Sequence, residues 1–256
     1  MTDTIKALYP YALAEGEGVG TAYEYIAKAD FIRPIVSRLS ELAGRAEGGG
    51  ARVIVAGLPE KYGTSLDFAI LAHRHGAQLR VVDDRQEAID RAERGIAAVQ
   101  AAGRLRGLRV EYRRLDSLSD LAKTEPHDVV LSCEVLQRVP QASRAAFVGT
   151  LRSLGPMGAL FVPNAENASH LEISGLAGFS RLELEALFAG ARSGYVDMPP
   201  FPPGIARSSE QRARASSGLA EALAMRALDV YCAGERLVPA FVKRRFAHIV
   251  CAMWGA

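Results

Sequence analysis

Residues 51–83 read ARVIVAGLPEKYGTSLDFAILAHRHGAQLRVVD. The run Val53-Ile54-Val55-Ala56 is short, mostly β-branched and unbroken, the pattern of a strand buried on both faces. It stops at Gly57. The segment SLDFAILAHRHG then spaces its apolar residues as a helix does, and Gly76 ends that helix. A second short strand follows, Leu79-Arg80-Val81-Val82-Asp83. A strand–helix–strand unit with connections this short predicts parallel strands and a right-handed crossover.

The same alternation continues outward. RQEAIDRAERGIAAVQAAG is an alanine-rich amphipathic helix ending near Gly103. Leu108 to Tyr112 and Asp128 to Ser132 read as strands three and four. SRAAFVGTLRSLG reads as a helix, and Met157 to Val162 as a fifth strand stopped by Pro163. Five strands alternating with helices predict a parallel sheet covered on both sides. Residues 1–18 look turn-rich, and Thr21 to Ala43 is helical with a break at Pro34. SGYVDMPPFPPG, residues 193–204, holds a short strand candidate and four prolines that fix an extended loop. Residues 208–234 look helical, with Ser208 or Ser209 as N-cap. Phe246 to Trp254 suits a strand better than a helix, since Val, Ile, Phe and Trp dominate it.

Composition narrows the function classes. The chain has 256 residues, 49% of them apolar, enough for one large core or a core with an appendage. Lys+Arg 31 against Asp+Glu 29 leaves a net charge of +2, which gives no support to nucleic-acid binding driven by bulk charge. Arg104, Arg106, Arg109, Arg113 and Arg114 have no aromatic stacking set beside them and read as a solvated face. No stretch of about 18 apolar residues predicts a membrane span, and no secretory leader is evident. The expectation is a cytoplasmic protein. Cys133, Cys232 and Cys251 match neither a disulfide framework nor a metal motif, so no metal is expected.

Open parallel sheets bind ligands at the carboxyl ends of their strands. The candidates there are Gly57, Leu58, Pro59 and Gly63 after the first strand and Asp83 and Asp84 after the second. Asp116 and Ser117 follow the third, and Cys133 and Glu134 the fourth. A carboxylate such as Asp83 can accept from both hydroxyls of a ribose. Glu166 and His170 follow the fifth strand and are candidate general bases, with Tyr23 a third from the N-terminal flank. A lettered G-x-G-x-G also occurs at Gly16 to Gly20, but after Tyr-Pro-Tyr rather than a buried strand. It reads as part of an N-terminal lid with Tyr9, Tyr11, Tyr23 and Tyr25.

In order and spacing, four segments resemble class I S-adenosylmethionine-dependent methyltransferases. VVDDRQEAIDRA is similar to their second motif and HDVVLSCEVLQRVP to their fourth. LRSLGPMGALFVPN resembles the segment running into their fifth strand, and GFSRLELEALFAGA the helix after it. Together they span roughly residues 50–190. The resemblance implies an α/β, Rossmann-like, mostly parallel seven-stranded sheet with helices on both faces. It implies S-adenosyl-L-methionine as cofactor, bound by the residues named above, with Phe246 to Trp254 returning antiparallel beside the strand near Tyr195. Three parts are expected: an N-terminal helical cap, 1–50; the cofactor-binding core, 51–192; and an acceptor-side insertion with the final strand, 193–256.

Two departures from the family pattern matter. Its glycine-rich first motif is here Gly57-Leu58-Pro59-Glu60-Lys61-Tyr62-Gly63, and Arg138 stands where many relatives place His. The altered loop keeps a non-catalytic dimerisation or ligand-sensing protein as an alternative. An NAD(P)-dependent oxidoreductase is a second, lacking G-x-G-x-x-G after the first strand. The expected acceptor is small and partly apolar, walled by Tyr9, Tyr11, Tyr23, Tyr25, Tyr195, Met198 and Phe201; a homodimer through these flanks is left open. Lys243-Arg244-Arg245 is a candidate contact with a membrane surface.

Overall fold

The computed structural model describes residues 3–45, 50–61, 63–200 and 219–256. Seven strands form one sheet: β1 (Arg52–Ala56), β2 (Gln78–Asp83), β3 (Val110–Arg114), β4 (Val129–Cys133), β5 (Met157–Pro163), β6 (Arg192–Val196) and β7 (Ile249–Trp254). Their order across the sheet is β3-β2-β1-β4-β5-β7-β6. Strands β1 to β5 are mutually parallel, whereas β7 runs antiparallel to both β5 and β6. This is the predicted mostly parallel seven-stranded sheet.

Apolar content decides position in the sheet. β4 and β5 are buried along their whole lengths and β1 everywhere but Arg52, and these three sit at the centre. β3, with Glu111, Arg113 and Arg114 exposed, lies at the edge, where one side stays wet. Val53 and Val55 join one apolar cluster and Ile54 the other, because successive side chains point to opposite faces. Gly158 lies opposite Trp254 in the β5–β7 pairing, and a Cβ there would sit 2.2 Å from the indole ring. Only glycine admits the tryptophan at that point.

Ten α-helices are described. α1 (Ile5–Ala14), α2 (Val19–Phe31) and α3 (Arg33–Arg45) precede the sheet, and α4 (Leu66–Arg74) and α5 (Gln86–Ala101) follow β1 and β2. α6 (Arg144–Leu154), α7 (Ala168–Ser174), α8 (Arg181–Leu187), α9 (Leu219–Glu235) and α10 (Ala240–Phe246) complete the set. The break before Pro34 is present, since α2 ends at Phe31 and α3 begins at Arg33.

Two expectations need correction, and a third is described only in part. Residues 5–14 are not turn-rich: Thr4 caps α1 by accepting from the Ala7 amide, and Ile5, Leu8, Tyr9 and Ala12 bury one face. Burial of those side chains, worth about 1.5–3 kcal/mol for each large one, offsets the hydrogen bond lost at Pro10 inside the helix. Strand three begins at Val110 rather than Leu108, because Gly107 turns the chain at φ +78° and Leu108 is spent packing into the core. The helix read over 208–234 is seen as α9. Its N-cap candidates Ser208 and Ser209, with Phe201, Pro202, Pro203 and Tyr62, lie outside the described residues.

Candidate active site

The strand ends carry the predicted groups to one edge of the sheet, where β2 delivers Asp83 with no exposed surface. Oδ2 accepts from the Leu58 amide at 2.7 Å, tying the loop after β1 to the end of β2. Oδ1 accepts from the Arg85 amide at 2.8 Å and from its Nε at 2.9 Å, and Arg138 Nη2 donates to Oδ2 at 2.7 Å. Burial alone would raise the Asp83 carboxyl. The Arg85 hydrogen bonds, the Arg138 charge and the two amides outweigh it and hold the group below its ordinary value. Asp84 shares Arg138, accepting from Nη1 at 2.5 Å. Arg138 therefore grips both acids at the end of β2 from its place after β4.

Gly57 takes φ +87°, and a Cβ on it would lie 2.5 Å from Val135 Cγ2. The loop then passes buried Leu58 and Pro59 to Glu60, which is exposed and accepts from Gln137 Nε2 at 3.4 Å. At Gly63 (φ +65°) a Cβ would lie 2.7 Å from Glu15 Oε2. Glu15 immediately precedes the lettered glycine repeat, in the turn between α1 and α2. Its Oε1 accepts from the amides of Thr64 at 2.9 Å and Leu66 at 2.7 Å, and from the Thr64 hydroxyl at 2.7 Å. Tyr25 donates to Oε2 at 2.5 Å. The N-cap of α4, Ser65, uses no side-chain hydrogen bond, so Glu15 supplies the missing cap. Burial nevertheless pushes the Glu15 carboxyl up to about 7.

A buried cation sits beside this cleft. Lys28 ion-pairs with Asp67 at 2.9 Å and Glu24 at 3.1 Å, lies 3.6 Å from Cys133 Sγ, and sits 4.6 Å from the Phe68 ring centroid. Cys133 is buried, and burial raises its thiol, which keeps it an unreactive neutral group. Glu134 takes φ +51°, and burial pushes its carboxyl up to about 8. Asp116 is exposed, and Ser117 caps the short 3-10 turn Leu118–Lys123 in a capping box with Asp120. These two stand apart from the Asp83 network.

Of the three candidate bases, Glu166 and His170 lie near one another around His248, and Tyr23 is engaged elsewhere. Tyr23 is buried and donates to Glu235 Oε2 at 2.5 Å and Met198 O at 3.3 Å; burial and the Glu235 charge raise its hydroxyl, making it a poor proton acceptor. Glu166 pairs with Arg244 at 2.5 Å and accepts from the Tyr195 hydroxyl. His170 stacks on His248 with centroids 4.2 Å apart, and burial and that neighbour bring its ring down to about 4. The sequence reading missed His248, Asp197, Glu15 and Lys28. Their deciding contacts are remote in sequence: His248 with Asp197, Glu15 with Thr64 and Lys28 with Cys133.

A cavity of about 870 Å³ opens at the β5–β7 end of the same edge, lined by Glu166 to Ser169, Pro199, Phe241, Arg244 to Phe246 and His248. A second, of about 640 Å³, lies between α2, β6 and α10. Of the basic triplet, Lys243 reaches Glu235 at 3.7 Å and Arg244 is taken by Glu166, leaving only Arg245 unpaired among the described residues. That is a poor membrane patch. No described helix is long and apolar enough to cross a membrane, and no described cluster of His, Cys, Asp and Glu is arranged to hold a metal ion.

No protein-family profile matches the chain, and no curated protein matches it. Among solved structures it is similar to magnesium protoporphyrin IX methyltransferase from Synechocystis PCC 6803, crystallised with bound SAH, at 17% identity over 64% of this chain and 76% of that one, TM-score 0.43. It is also similar to a SAM dependent methyltransferase from Archaeoglobus fulgidus, at 14% identity, coverage 87% and 93%, TM-score 0.47. A third is the S-adenosylmethionine dependent methyltransferase from Mesorhizobium loti, at 18% identity, coverage 87% and 97%, TM-score 0.41. At these scores the likeness adds nothing to the strand order and the site geometry.

Proposed function

We propose that the chain is an S-adenosylmethionine-dependent methyltransferase acting on a small, partly apolar acceptor. The observation that carries this reading is the buried, ionised Asp83 at the end of β2, hydrogen-bonded to the loop that leaves β1 at Gly57. The donor set suits the cofactor. A carboxylate held ionised is the acceptor a ribose diol needs, and the amides at the start of α4 suit a carboxylate. In this structure the protein's own side chains use those groups: Arg85 and Arg138 hold Asp83, and Glu15 holds the α4 amides.

Binding therefore exchanges internal contacts for cofactor contacts, which lowers affinity by the cost of releasing them. When bound, the cofactor supplies an activated methyl group, and the protein's part is to position the acceptor and to exclude water. The acceptor side is the β5–β7 end, where the larger cavity opens.

The internal bonding of the cleft groups favours a second reading, a non-catalytic ligand sensor in which Arg138 and Glu15 hold those groups permanently. Calorimetric titration with S-adenosylmethionine, S-adenosylhomocysteine and NAD separates the readings. Saturable binding of the first two, weakened at least tenfold by Asp83→Asn in a folded protein, supports the methyltransferase. Binding of none supports the non-catalytic reading, and binding of NAD alone points to an oxidoreductase.

A further inference from the structure

Around the larger cavity, as in the cleft, some polar atoms have no partner among the described residues: Asp197 Oδ1 here, and Glu134 Oε2, Gln137 Oε1 and Arg138 Nε there. His248 Nδ1 lies 2.9 Å from Asp197 Oδ2, and among the described residues Nε2 has no hydrogen-bond partner. Asp197 is 5% exposed, its Oδ1 is buried without a partner, and its backbone is left-handed at φ +68°. A non-glycine residue in that conformation is held there by its surroundings. Here the surroundings are its own carbonyl, accepting from the His248 amide at 2.8 Å, and the imidazole at its carboxylate.

The chain carrying His248 is pinned as firmly. Asn164 Nδ2 donates to the carbonyls of Arg244 and Ala247, both at 2.9 Å, and Asn167 Nδ2 donates to that of Phe246 at 3.0 Å. Two asparagines after β5 thus fix the last turn of α10 and the start of β7. His170 stacks on the outer face of the dyad and stays uncharged. The remaining lining is aromatic and basic. Phe241 is 76% exposed and Phe246 56%, and Arg245 has neither ion pair nor hydrogen bond among the described residues. With Glu166 matched to Arg244, Arg245 is the charged side chain of the lining without a partner among the described residues, and the Asp197 carboxylate lies against His248.

We infer that this cavity is a binding site for a small organic anion, an aromatic carboxylate that also carries an ionisable hydroxyl, with His248 as the base that takes the hydroxyl proton. Arg245 matches the carboxylate, since a guanidinium fork presents two donors to two oxygens. Phe241 and Phe246 cover the ring. Asp197 accepts from Nδ1–H and so leaves the lone pair on Nε2. In the step assigned to it, the substrate O–H bond breaks, the proton joins Nε2, and the electron pair stays on oxygen. Asp197, Asn164 and Asn167 are positioning residues. The charges that act on His248 are Asp197, Glu24 and Glu235, with His170 against its ring and Glu166, Arg244 and Arg245 around the cavity. Burial lowers its affinity for a proton, and Asp197 more than restores it.

That the hydroxyl is then methylated rests on the methyltransferase reading; anion binding and the dyad do not. The test uses the full chain without cofactor, with histidine ring nitrogens observed by NMR and 4-hydroxybenzoate as probe. The wild-type spectrum at pH 8 should show His248 protonated at Nδ1 and bare at Nε2. Added 4-hydroxybenzoate should shift those resonances saturably, and 4-hydroxybenzamide should bind at least tenfold more weakly. Arg245→Ala should erase the difference between the two probes. Asp197→Asn should remove the fixed tautomer while leaving 4-hydroxybenzoate affinity within about threefold. A proton on Nε2 in the wild type overturns the base assignment without any variant. Equal binding of the two probes, or none of either, overturns the anion site. If 4-hydroxybenzoate binds but S-adenosylhomocysteine does not, the methyltransferase reading fails and the site stands.

Discussion

The two ends of the strand-end surface differ in what their charged groups meet. Over β1, β2 and β4, the Asp83 carboxylate and the α4 amides are matched inside the protein: Asp83 by Arg85 and Arg138, the amides by Glu15. Over β5 and β7, Arg245 and His248 Nε2 at an open cavity have no partner among the described residues, and neither has Oδ1 of Asp197, which holds His248. A buried polar group without a partner costs about 1–3 kcal/mol, and both regions carry that cost: Asp197 Oδ1 in the second, and Glu134 Oε2, Gln137 Oε1 and Arg138 Nε in the first. The difference lies in the charges: Asp83 is paired inside the protein, whereas Arg245 is exposed and has no ion pair among the described residues. The first becomes a site only when a ligand displaces the internal partners.

The contrast is testable, and the largest effect belongs to Asp83. Asp83→Ala leaves Arg85 and Arg138 without their shared anion, and should destabilise the protein by about 3–5 kcal/mol in urea denaturation. A loss below about 1 kcal/mol would falsify the structural role given to the cleft network.

Glu15 gives a pH signature of definite sign. Its carboxyl is raised from 4.5 to about 7 in the folded protein, so the native state binds the extra proton between those values. Its contribution then falls as pH rises through that window, by at most about 1.4 kcal/mol per unit. Glu15→Gln should flatten the decline between about pH 5 and 7. An unchanged slope means that another group carries it.

Arg138→Ala leaves Asp83 with Arg85 and should cost about 1–3 kcal/mol. It should also tighten S-adenosylhomocysteine binding, because one internal competitor is gone. Weaker binding in a folded variant makes Arg138 a ligand contact rather than a plug. The smallest effect is expected at Asp197, where asparagine tolerates φ +68°. Asp197→Asn should change stability at pH 8 by less than about 1 kcal/mol while shifting the His248 titration downward. A large loss of stability would move the dyad into the structural class with Asp83.

Much of the scaffold was legible because local pattern and tertiary role coincide. Val53 to Ala56, Val129 to Cys133 and Met157 to Val162 are apolar because they lie at the sheet centre, and their runs announce it. α1 was illegible because Pro10 and two tyrosines imitate a turn, and only packing of Ile5, Leu8 and Tyr9 shows why a helix pays there. Asp83 could be placed at the end of a strand, since strand ends follow from the pattern.

The sequence by itself determined the alternation of strands and helices, the parallel core and the acids at its edge. These follow from periodicity and chain connectivity, which act over a few residues. The tertiary structure alone decided who partners those acids. Arg138 comes 55 residues after Asp83, Glu15 comes 49 before Thr64, and Asp197 meets His248 across 51 residues. A charge has no period, and its partner is set by which strand ends the sheet order brings together.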